Sequence, residues 1–387
     1  MAEEELAPES LQLESQVFSL AFHPSQDIVA AGLITGDVHC YKYGVEKNEN
    51  IYSGKYHKKS CRTIEFSEDG KLLFSGSRDK SIQGLDIETQ QVTFVKAKAH
   101  DDPINTMLTL NERYLTTGDD AGVVKLWDMR KQGEAMKWHE NSDFISNITY
   151  VPEKKTMVVA GGDGCLSVFD IRKSEAIAVS ENQDDELLSV QVIKNGRKAV
   201  VGTQEGILGI FSWNDWGDVT DRFLGHPKSI DTMIKINEDV ICTGSSDGLI
   251  RVVQIHPNKL LGVIGEHDDF PVEQICISHD QRFMGSCAHD QTVKFWNVGY
   301  LFDEDDDEDE EALEAETEEK EPQIEVDQEV ASVGDVEHAE AKDAENSDLE
   351  EPENNKRKKK QKEKKDKKLP AKFNVETAAA ADFFSDL

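Results

Sequence analysis

Residues 61–95 read CRTIEFSEDGKLLFSGSRDKSIQGLDIETQQVTFV, a stretch in which short apolar runs alternate with polar turns. The runs predict four strands: Cys61 to Phe66, Leu72 to Ser75, Ser81 to Ile87 and Gln91 to Val95. Between them, Ser67-Glu68-Asp69-Gly70 and the segment from Gly76 to Lys80 supply the Asp and Gly residues that tight turns favour. The stretch therefore predicts a small antiparallel sheet, which cannot bury both of its faces alone.

The same pattern recurs along the chain at a nearly constant period. The strand ends that correspond to one another are Tyr41-Lys42, Leu85-Asp86, Trp127-Asp128, Phe169-Asp170, Phe211-Ser212, Val253-Gln254 and Trp296-Asn297. Neighbouring ends are 42 to 44 residues apart. Repeated sheets of this kind bury their faces by stacking around a common axis. The sequence predicts an all-β fold, a single propeller of seven four-stranded blades over residues 10–302.

The seventh repeat supplies only three strands, the last of which ends at Val298. An unpaired outer edge would be an aggregation site, so another segment is needed to complete this sheet. We expect the segment from Leu11 to Gln16, just before the first repeat, to provide the missing outer strand. Residues 1–9 are then a flexible N-terminus.

Two further features resemble the WD-repeat β-propeller family over about residues 10 to 300. The literal Trp-Asp pair occurs at Trp127-Asp128, and a histidine precedes most repeats, at His57, His100, His139, His226 and His267. The resemblance implies buried, hydrogen-bonded sets of His, Ser or Thr, Asp and Trp within single blades. By position, two such sets are His100, Thr117, Asp120 and Trp127, and His267, Ser286, Asp290 and Trp296.

Little in the sequence favours catalysis or metal binding. Gly244-Ser245-Ser246-Asp247-Gly248 matches Gly-x-Ser-x-Gly, but a nucleophile turn of that kind joins a strand to a helix, whereas strands flank this one. The histidines lie about one repeat apart, and the six cysteines show no paired spacing typical of zinc sites. We expect no enzymatic activity, no cofactor and no metal. No stretch approaches 18 consecutive apolar residues, so we expect no membrane span.

Adjacent repeats close with Trp127-Asp128-Met129-Arg130 and Phe169-Asp170-Ile171-Arg172. These motifs are similar to the doubled Asp-x-Arg signature of WD-repeat substrate receptors for cullin-RING ubiquitin ligases. In those receptors the two arginines face the adaptor, DNA-damage-binding protein 1. Two guanidinium groups on neighbouring blades can make bidentate contacts with a partner. The alternative is an ion pair within each blade, Asp128 with Arg130 and Asp170 with Arg172.

The negative charge is concentrated near the C-terminus. The chain has 387 residues and a net charge of −34, and residues 303–353 hold 26 acidic residues and two lysines. Such a composition predicts disorder, because the segment cannot bury enough apolar surface to become ordered. It acts either as a solvating tail or as a region that engages basic partners such as histones. Ser347, followed by Asp348 and further acids, is a phosphorylation candidate for an acid-directed kinase.

A lysine-rich segment and C-terminal tail follow at residues 354–387. The basic residues of its central run are Lys356, Arg357, Lys358, Lys359, Lys360, Lys362, Lys364, Lys365, Lys367 and Lys368. Runs of this kind are typical of nuclear and nucleolar address signals that importin binds. We also expect weak RNA contact through this run.

One divergent propeller, an acidic linker and a lysine-rich block, together with the opening from Phe18 to Pro24, resemble the nucleolar family of WD repeat-containing protein 55. The resemblance implies a monomeric, non-enzymatic scaffold in ribosomal RNA synthesis and processing. Its partners would be pre-ribosomal factors, and it would reside in the nucleus and nucleolus, and also in the cytoplasm. A ligase substrate receptor and a histone-binding chaperone remain the alternatives.

Overall fold

The structure, a computed structural model, describes residues 6–131 and 133–302. Within these ranges the backbone forms 28 strands and one 3₁₀ turn, Gly299–Leu301. The strands form seven separate sheets of four strands each. The seven-bladed propeller predicted from the sequence is confirmed. None of the described helical residues forms a segment long and apolar enough to cross a membrane.

Each blade has its innermost strand first in the chain and its outermost strand last, except in the seventh blade. Blades 1 to 3 are β2 (Val17–Phe22), β3 (Ile28–Leu33), β4 (Asp37–Lys42) and β5 (Glu49–Lys55); β6 (Cys61–Phe66), β7 (Leu72–Ser77), β8 (Ile82–Asp86) and β9 (Gln91–Lys96); β10 (Ile104–Thr109), β11 (Tyr114–Asp119), β12 (Val124–Asp128) and β13 (Glu134–Trp138). Blades 4 to 6 are β14 (Ile145–Val151), β15 (Thr156–Gly161), β16 (Leu166–Asp170) and β17 (Ala176–Val179); β18 (Leu187–Ile193), β19 (Lys198–Thr203), β20 (Ile207–Ser212) and β21 (Asp221–Leu224); β22 (Ile230–Lys235), β23 (Val240–Ser245), β24 (Leu249–Gln254) and β25 (Lys259–Glu266). Blade 7 consists of β26 (Val272–Ile277), β27 (Phe283–Ala288), β28 (Thr292–Asn297) and β1 (Leu11–Gln12).

The core lies between neighbouring blades, where apolar side chains of facing sheets interlock. A glycine in the second strand of several blades makes this possible. A Cβ atom on Gly118 would lie 2.5 Å from Ile145 Cγ2 of the next blade, and one on Gly244 would lie 2.8 Å from Val272 Cγ1. Because the next blade's branched side chain occupies that space, the repeat requires glycine there.

The ring closes where β1 pairs with β28. Leu11 lies opposite Val293 in this antiparallel ladder, and the Leu13 N–H donates to the Gln291 carbonyl at 2.9 Å. Leu11 and Leu13 are buried in the cluster between blades 7 and 1. The strand itself covers Leu11–Gln12, which is shorter than the predicted segment, because the chain from residue 13 onwards turns towards β2.

The propeller has two faces that carry different loops. The loops that join the first strand of a blade to the second, and the third to the fourth, form what we call the lower face. The loops that join the second strand to the third, and one blade to the next, form the upper face. The predicted acidic region 303–353, the lysine-rich segment 354–387 and the phosphorylation candidate Ser347 lie outside the described residues.

Candidate interaction site

The seventh blade contains one of the polar sets that the sequence suggested. The Trp296 indole N–H donates to Ser286 Oγ at 2.8 Å, and Ser286 Oγ lies 2.7 Å from His267 Nε2. His267 Nδ1 lies 2.8 Å from an Asp290 carboxylate oxygen. A carboxylate can only accept, so Nδ1 carries the proton and the Ser286 hydroxyl donates to Nε2. All four residues therefore form one directed chain of hydrogen bonds.

The third blade contains the second set, with one correction. Trp127 donates to Thr117 Oγ1 at 2.8 Å, Thr117 Oγ1 lies 2.7 Å from His100 Nε2, and His100 Nδ1 lies 2.7 Å from Asp119 Oδ2. Asp119, and not the predicted Asp120, supplies the carboxylate. Burial opposes ionisation of Asp119, but hydrogen bonds from His100 and the Val123 N–H outweigh it and lower the pKa of this carboxyl.

The correction has a simple structural reason. Ala121 occupies the turn position where other repeats have Asp79, Asp163, Asp247 and Asp290. Asp119 stands two residues earlier, at the end of β11, and its Oδ1 accepts the N–H groups of Ala121 and Val123 at 3.0 and 2.9 Å. The side chain of Asp120, the next residue, instead binds Arg62 of the second blade at 2.7 Å.

Two related sets escaped prediction. In the second blade, His57 Nε2 lies 2.8 Å from Ser75 Oγ, and His57 Nδ1 lies 3.0 Å from Ser81 Oγ, which donates to Asp79. This blade lacks the tryptophan that would have identified the set. In the fourth blade, Asn141 takes the place of the histidine, whereas His139 is exposed on the surface. An alignment of the repeats at Asp79 and Asp163 would have identified both of these sets from the sequence.

His226 of the sixth blade is buried but has only one hydrogen-bonded ring nitrogen. Its Nε2 lies 2.8 Å from Thr243 Oγ1, while its buried Nδ1 has no hydrogen-bond partner. Asp247, the residue that would pair with Nδ1, is bound instead by Arg251 through two hydrogen bonds of 3.0 and 2.6 Å. Burial, followed by the nearby Arg251 charge, lowers the pKa of His226 to about 4.

This histidine makes stability depend on pH. Its pKa is lower in the folded protein than the usual 6.5, so the stabilisation is complete above pH 6.5 and is lost as the pH falls towards 4. Between pH 7.5 and pH 5, His226 should account for a loss of about 2 kcal/mol in the free energy of unfolding. Chemical denaturation at both pH values should show this loss disappear in His226→Gln and persist in His139→Gln, where the histidine is exposed. Equal losses in all three proteins would contradict the assignment.

The segment that matches Gly-x-Ser-x-Gly forms the turn between β23 and β24. Ser245 is the last residue of β23, and β24 begins at Leu249. Ser246, the serine of the motif, lies in this turn and is half-buried, and its Oγ accepts a hydrogen bond from Ser229 Oγ at 2.6 Å. No helix follows the serine, so the geometry of a nucleophile turn is absent here.

The two Asp-x-Arg motifs form matching ion pairs at the lower ends of blades 3 and 4. Arg130 donates through Nε and Nη2 to both carboxylate oxygens of Asp128, at 3.0 Å each. Arg172 binds Asp170 in the same way, at 2.8 and 2.7 Å. The two aspartates are buried, whereas the side chains of Arg130 and Arg172 remain 59% and 67% exposed. The arginines thus pair within their blades and also present part of each guanidinium to solvent.

The inner strands surround a central channel of about 590 Å³. Asp231 and Glu273 line it on the side of blades 6 and 7, and Glu65 lines it in blade 2. Burial raises the pKa of Asp231 to about 6. Burial also raises the pKa of Glu65 to about 8, and Arg62 lies in the same lining, so the channel is not uniformly negative.

A small cluster at the seam of blades 1 and 7 has cation-ligating atoms close together. Asp27, His279 and Asp280 hold such atoms within 4.8 Å of one another, the one group of this kind among the described residues. His279 Nε2 lies 3.1 Å from Asp27, and Arg282 donates to Asp280 at 2.6 Å. Because Arg282 already neutralises Asp280, we interpret the group as a contact between the first and last blades.

Comparisons with known proteins agree with this architecture. The WDR55 family model matches residues 8–301. WD repeat-containing protein 55 of Rattus norvegicus is 42% identical over 296 residues, which cover 76% of this chain and 77% of that protein. The Homo sapiens protein of the same name gives the same identity and coverage. WD repeat-containing protein 55 of Arabidopsis thaliana is 40% identical over 290 residues, 74% of this chain and 82% of that protein.

Proposed function

Because the chain belongs to the WDR55 family, we propose that it is a non-enzymatic nucleolar scaffold in ribosomal RNA synthesis and processing. The proposal rests on one observation, that the buried polar groups form hydrogen bonds within their own blades. His100, His267 and their hydroxyl and carboxylate partners bond strands and turns of the same blade. These groups stabilise the ring, which leaves the loops of the two faces as the surface for binding proteins.

The proposal assigns complementary roles to the two parts of the chain. The propeller supplies a rigid body whose loops bind pre-ribosomal proteins. The basic run at 356–368 supplies the nuclear and nucleolar address through importin, and it contacts RNA weakly. The protein would act as a monomer that also passes through the cytoplasm, and phosphorylation of Ser347 would add charge to the acidic region.

The experiment is affinity purification from nuclear lysate followed by mass spectrometry. We expect pre-ribosomal proteins to co-purify with the wild type and also with the double variant Arg130→Ala, Arg172→Ala. Lys47→Ala with Arg222→Ala, which removes two exposed cations elsewhere, is the matched control. Absence of pre-ribosomal proteins from the wild-type sample would overturn the proposal.

The second candidate is a substrate receptor for a cullin-RING ligase, and one observation favours it. Arg130 and Arg172 are held in the same bidentate geometry on adjacent blades, with more than half of each side chain exposed. The same purification tests it. If DNA-damage-binding protein 1 appears with the wild type and the control but not with the double variant, the receptor function is supported. A melting curve must show that the double variant still folds, because Asp170 loses its main partner, Arg172.

A further inference from the structure

Charge is distributed unequally between the two faces of blades 3 to 5. The six upper-face loops between residues 97 and 206 hold eleven acidic residues and one lysine. The six lower-face loops between residues 110 and 220 hold nine basic and five acidic residues. In the other four blades the lower-face loops are acidic again, with eight acidic and three basic residues.

The positive charge is concentrated in four of these loops, residues 129–133, 152–155, 171–175 and 194–197. Together they hold eight basic and two acidic residues, and we call them the basic sector. They belong to blades 3, 4 and 5, so cations separated by some 20 to 40 positions in the sequence gather on one face. A concentrated basic patch on an otherwise acidic protein is the electrostatic footprint of a polyanion site.

The cations of the basic sector are accessible. Lys131, Lys155 and Lys173 are exposed at the tips of their loops. Arg130 and Arg172 bind their aspartates through Nε and Nη2, and more than half of each side chain remains exposed. Such lysines and arginines can neutralise successive phosphates along a backbone.

Beside the basic sector lies a cavity of about 510 Å³ that could receive a base. Tyr150, Gln191 and Asn195 line it, together with two cations, Lys154 and Lys235, and two carboxylates, Glu153 and Glu238. The buried hydroxyl of Tyr150 has no hydrogen-bond partner. The ammonium group of Lys154 lies 3.5 Å from the ring centroid of Trp213 and donates to the Gly196 carbonyl, so this cation is held in place beside the cavity. Gln191 Nε2 donates to the Met233 carbonyl at 3.1 Å, which fixes the orientation of this amide beside the cavity, and the Tyr150 hydroxyl needs a side-chain shift to reach the edge of an unstacked base.

We propose that the basic sector binds the phosphate backbone of single-stranded RNA and that the adjacent cavity accepts one of its bases. The proposal rests on the proposed function and deepens it by naming a partner class for the lower face. Single-stranded RNA fits better than a duplex, because a cavity between blades can take only a base that has left its stack. An acidic protein partner would use the cations but not the cavity.

The test measures binding of a fluorescein-labelled 12-nucleotide single-stranded RNA by anisotropy between 50 and 200 mM KCl. The full-length chain is used, with the ten basic residues of 356–368 changed to glutamine. This removes RNA binding by the lysine-rich run, so that the measured affinity reports the lower face. The triple variant Lys131→Gln, Lys155→Gln, Lys173→Gln should bind about tenfold more weakly or worse, with a salt slope reduced by about 2. Tyr150→Phe should weaken binding without changing the slope.

The control removes the same charge from the upper face through Lys58→Gln, Lys59→Gln and Lys228→Gln, all at exposed positions. It should leave both affinity and slope unchanged. Equal losses in the two triple variants, or no RNA binding by the parent chain, would overturn the RNA proposal. The proposed function would still stand if pre-ribosomal proteins co-purified. If the lower-face triple variant kept RNA but lost those proteins, the sector would be a protein interface and the RNA proposal would be wrong.

Discussion

Replacement of Asp119 by alanine should lower the free energy of unfolding by about 2 to 6 kcal/mol, because two buried donors each lose their acceptor at a cost of about 1 to 3 kcal/mol. The Asp119 side chain is only 2% exposed and accepts from His100 Nδ1 and from the N–H groups of Ala121 and Val123. Alanine leaves all three donors without this acceptor, and the imidazole and the Val123 amide are themselves buried. A buried donor that loses its acceptor destabilises the folded state by more free energy than its hydrogen bond had contributed net.

The neighbouring residue provides a matched control. Asp120→Ala removes a carboxylate of the same size one position away, where it pairs with a partly exposed Arg62. That change should cost less than about 1 kcal/mol, as is usual for pairs near the surface. Thermal unfolding should therefore show a Tm lower by about 10 °C for Asp119→Ala and a small shift for Asp120→Ala. If Asp120→Ala were the more damaging change, the assignment of the carboxylate would be wrong.

The same pair of residues shows what the sequence could and could not provide. The repeat period and the alternation of apolar residues were sufficient for the blades, since β6 and β9 begin at the residues predicted for them. The choice between Asp119 and Asp120 needed the three-dimensional turn. Two adjacent acids satisfy the same pattern, and only backbone geometry decides which carboxylate faces His100.

The surface of the propeller was harder to predict than its core. The Asp-x-Arg motifs stood out because their spacing follows the repeat, and the structure resolves them as ion pairs within each blade. Two loops of the basic sector contain these motifs, but the other two, residues 152–155 and 194–197, carried no motif that would have joined them to the first two. Lys131 and Lys173 are one repeat period of 42 residues apart, whereas Lys155 comes from the other kind of lower-face loop, 24 residues after Lys131. Only the folding of blades 3 to 5 around one axis brings the four loops of the basic sector to one face.

The closing strand has more influence on stability than its length of two residues indicates. Leu11 and Leu13 are 7% and 5% exposed and pack between blades 7 and 1 against Val293 and Phe295. Each buried leucine is worth about 2 to 5 kcal/mol when truncated to alanine. The total stability of a protein is about 5 to 15 kcal/mol. Loss of both side chains therefore removes a large share of it.

Deletion of residues 1–16 should destabilise the whole ring and leave β28 as an open outer edge. The remaining three-stranded seventh blade would expose unpaired backbone groups, so the variant should self-associate as well as melt earlier. Leu11→Ala with Leu13→Ala tests packing without exposing that edge, and its Tm should fall by about 10 °C or more. Leu6→Ala, at a side chain that is 73% exposed, is the control and should melt like the wild type. Scanning calorimetry combined with size-exclusion chromatography would report both effects. An unchanged melting temperature after the deletion would mean that the ring is held together by the contacts between its blades, and that the strand from the N-terminus only covers an edge.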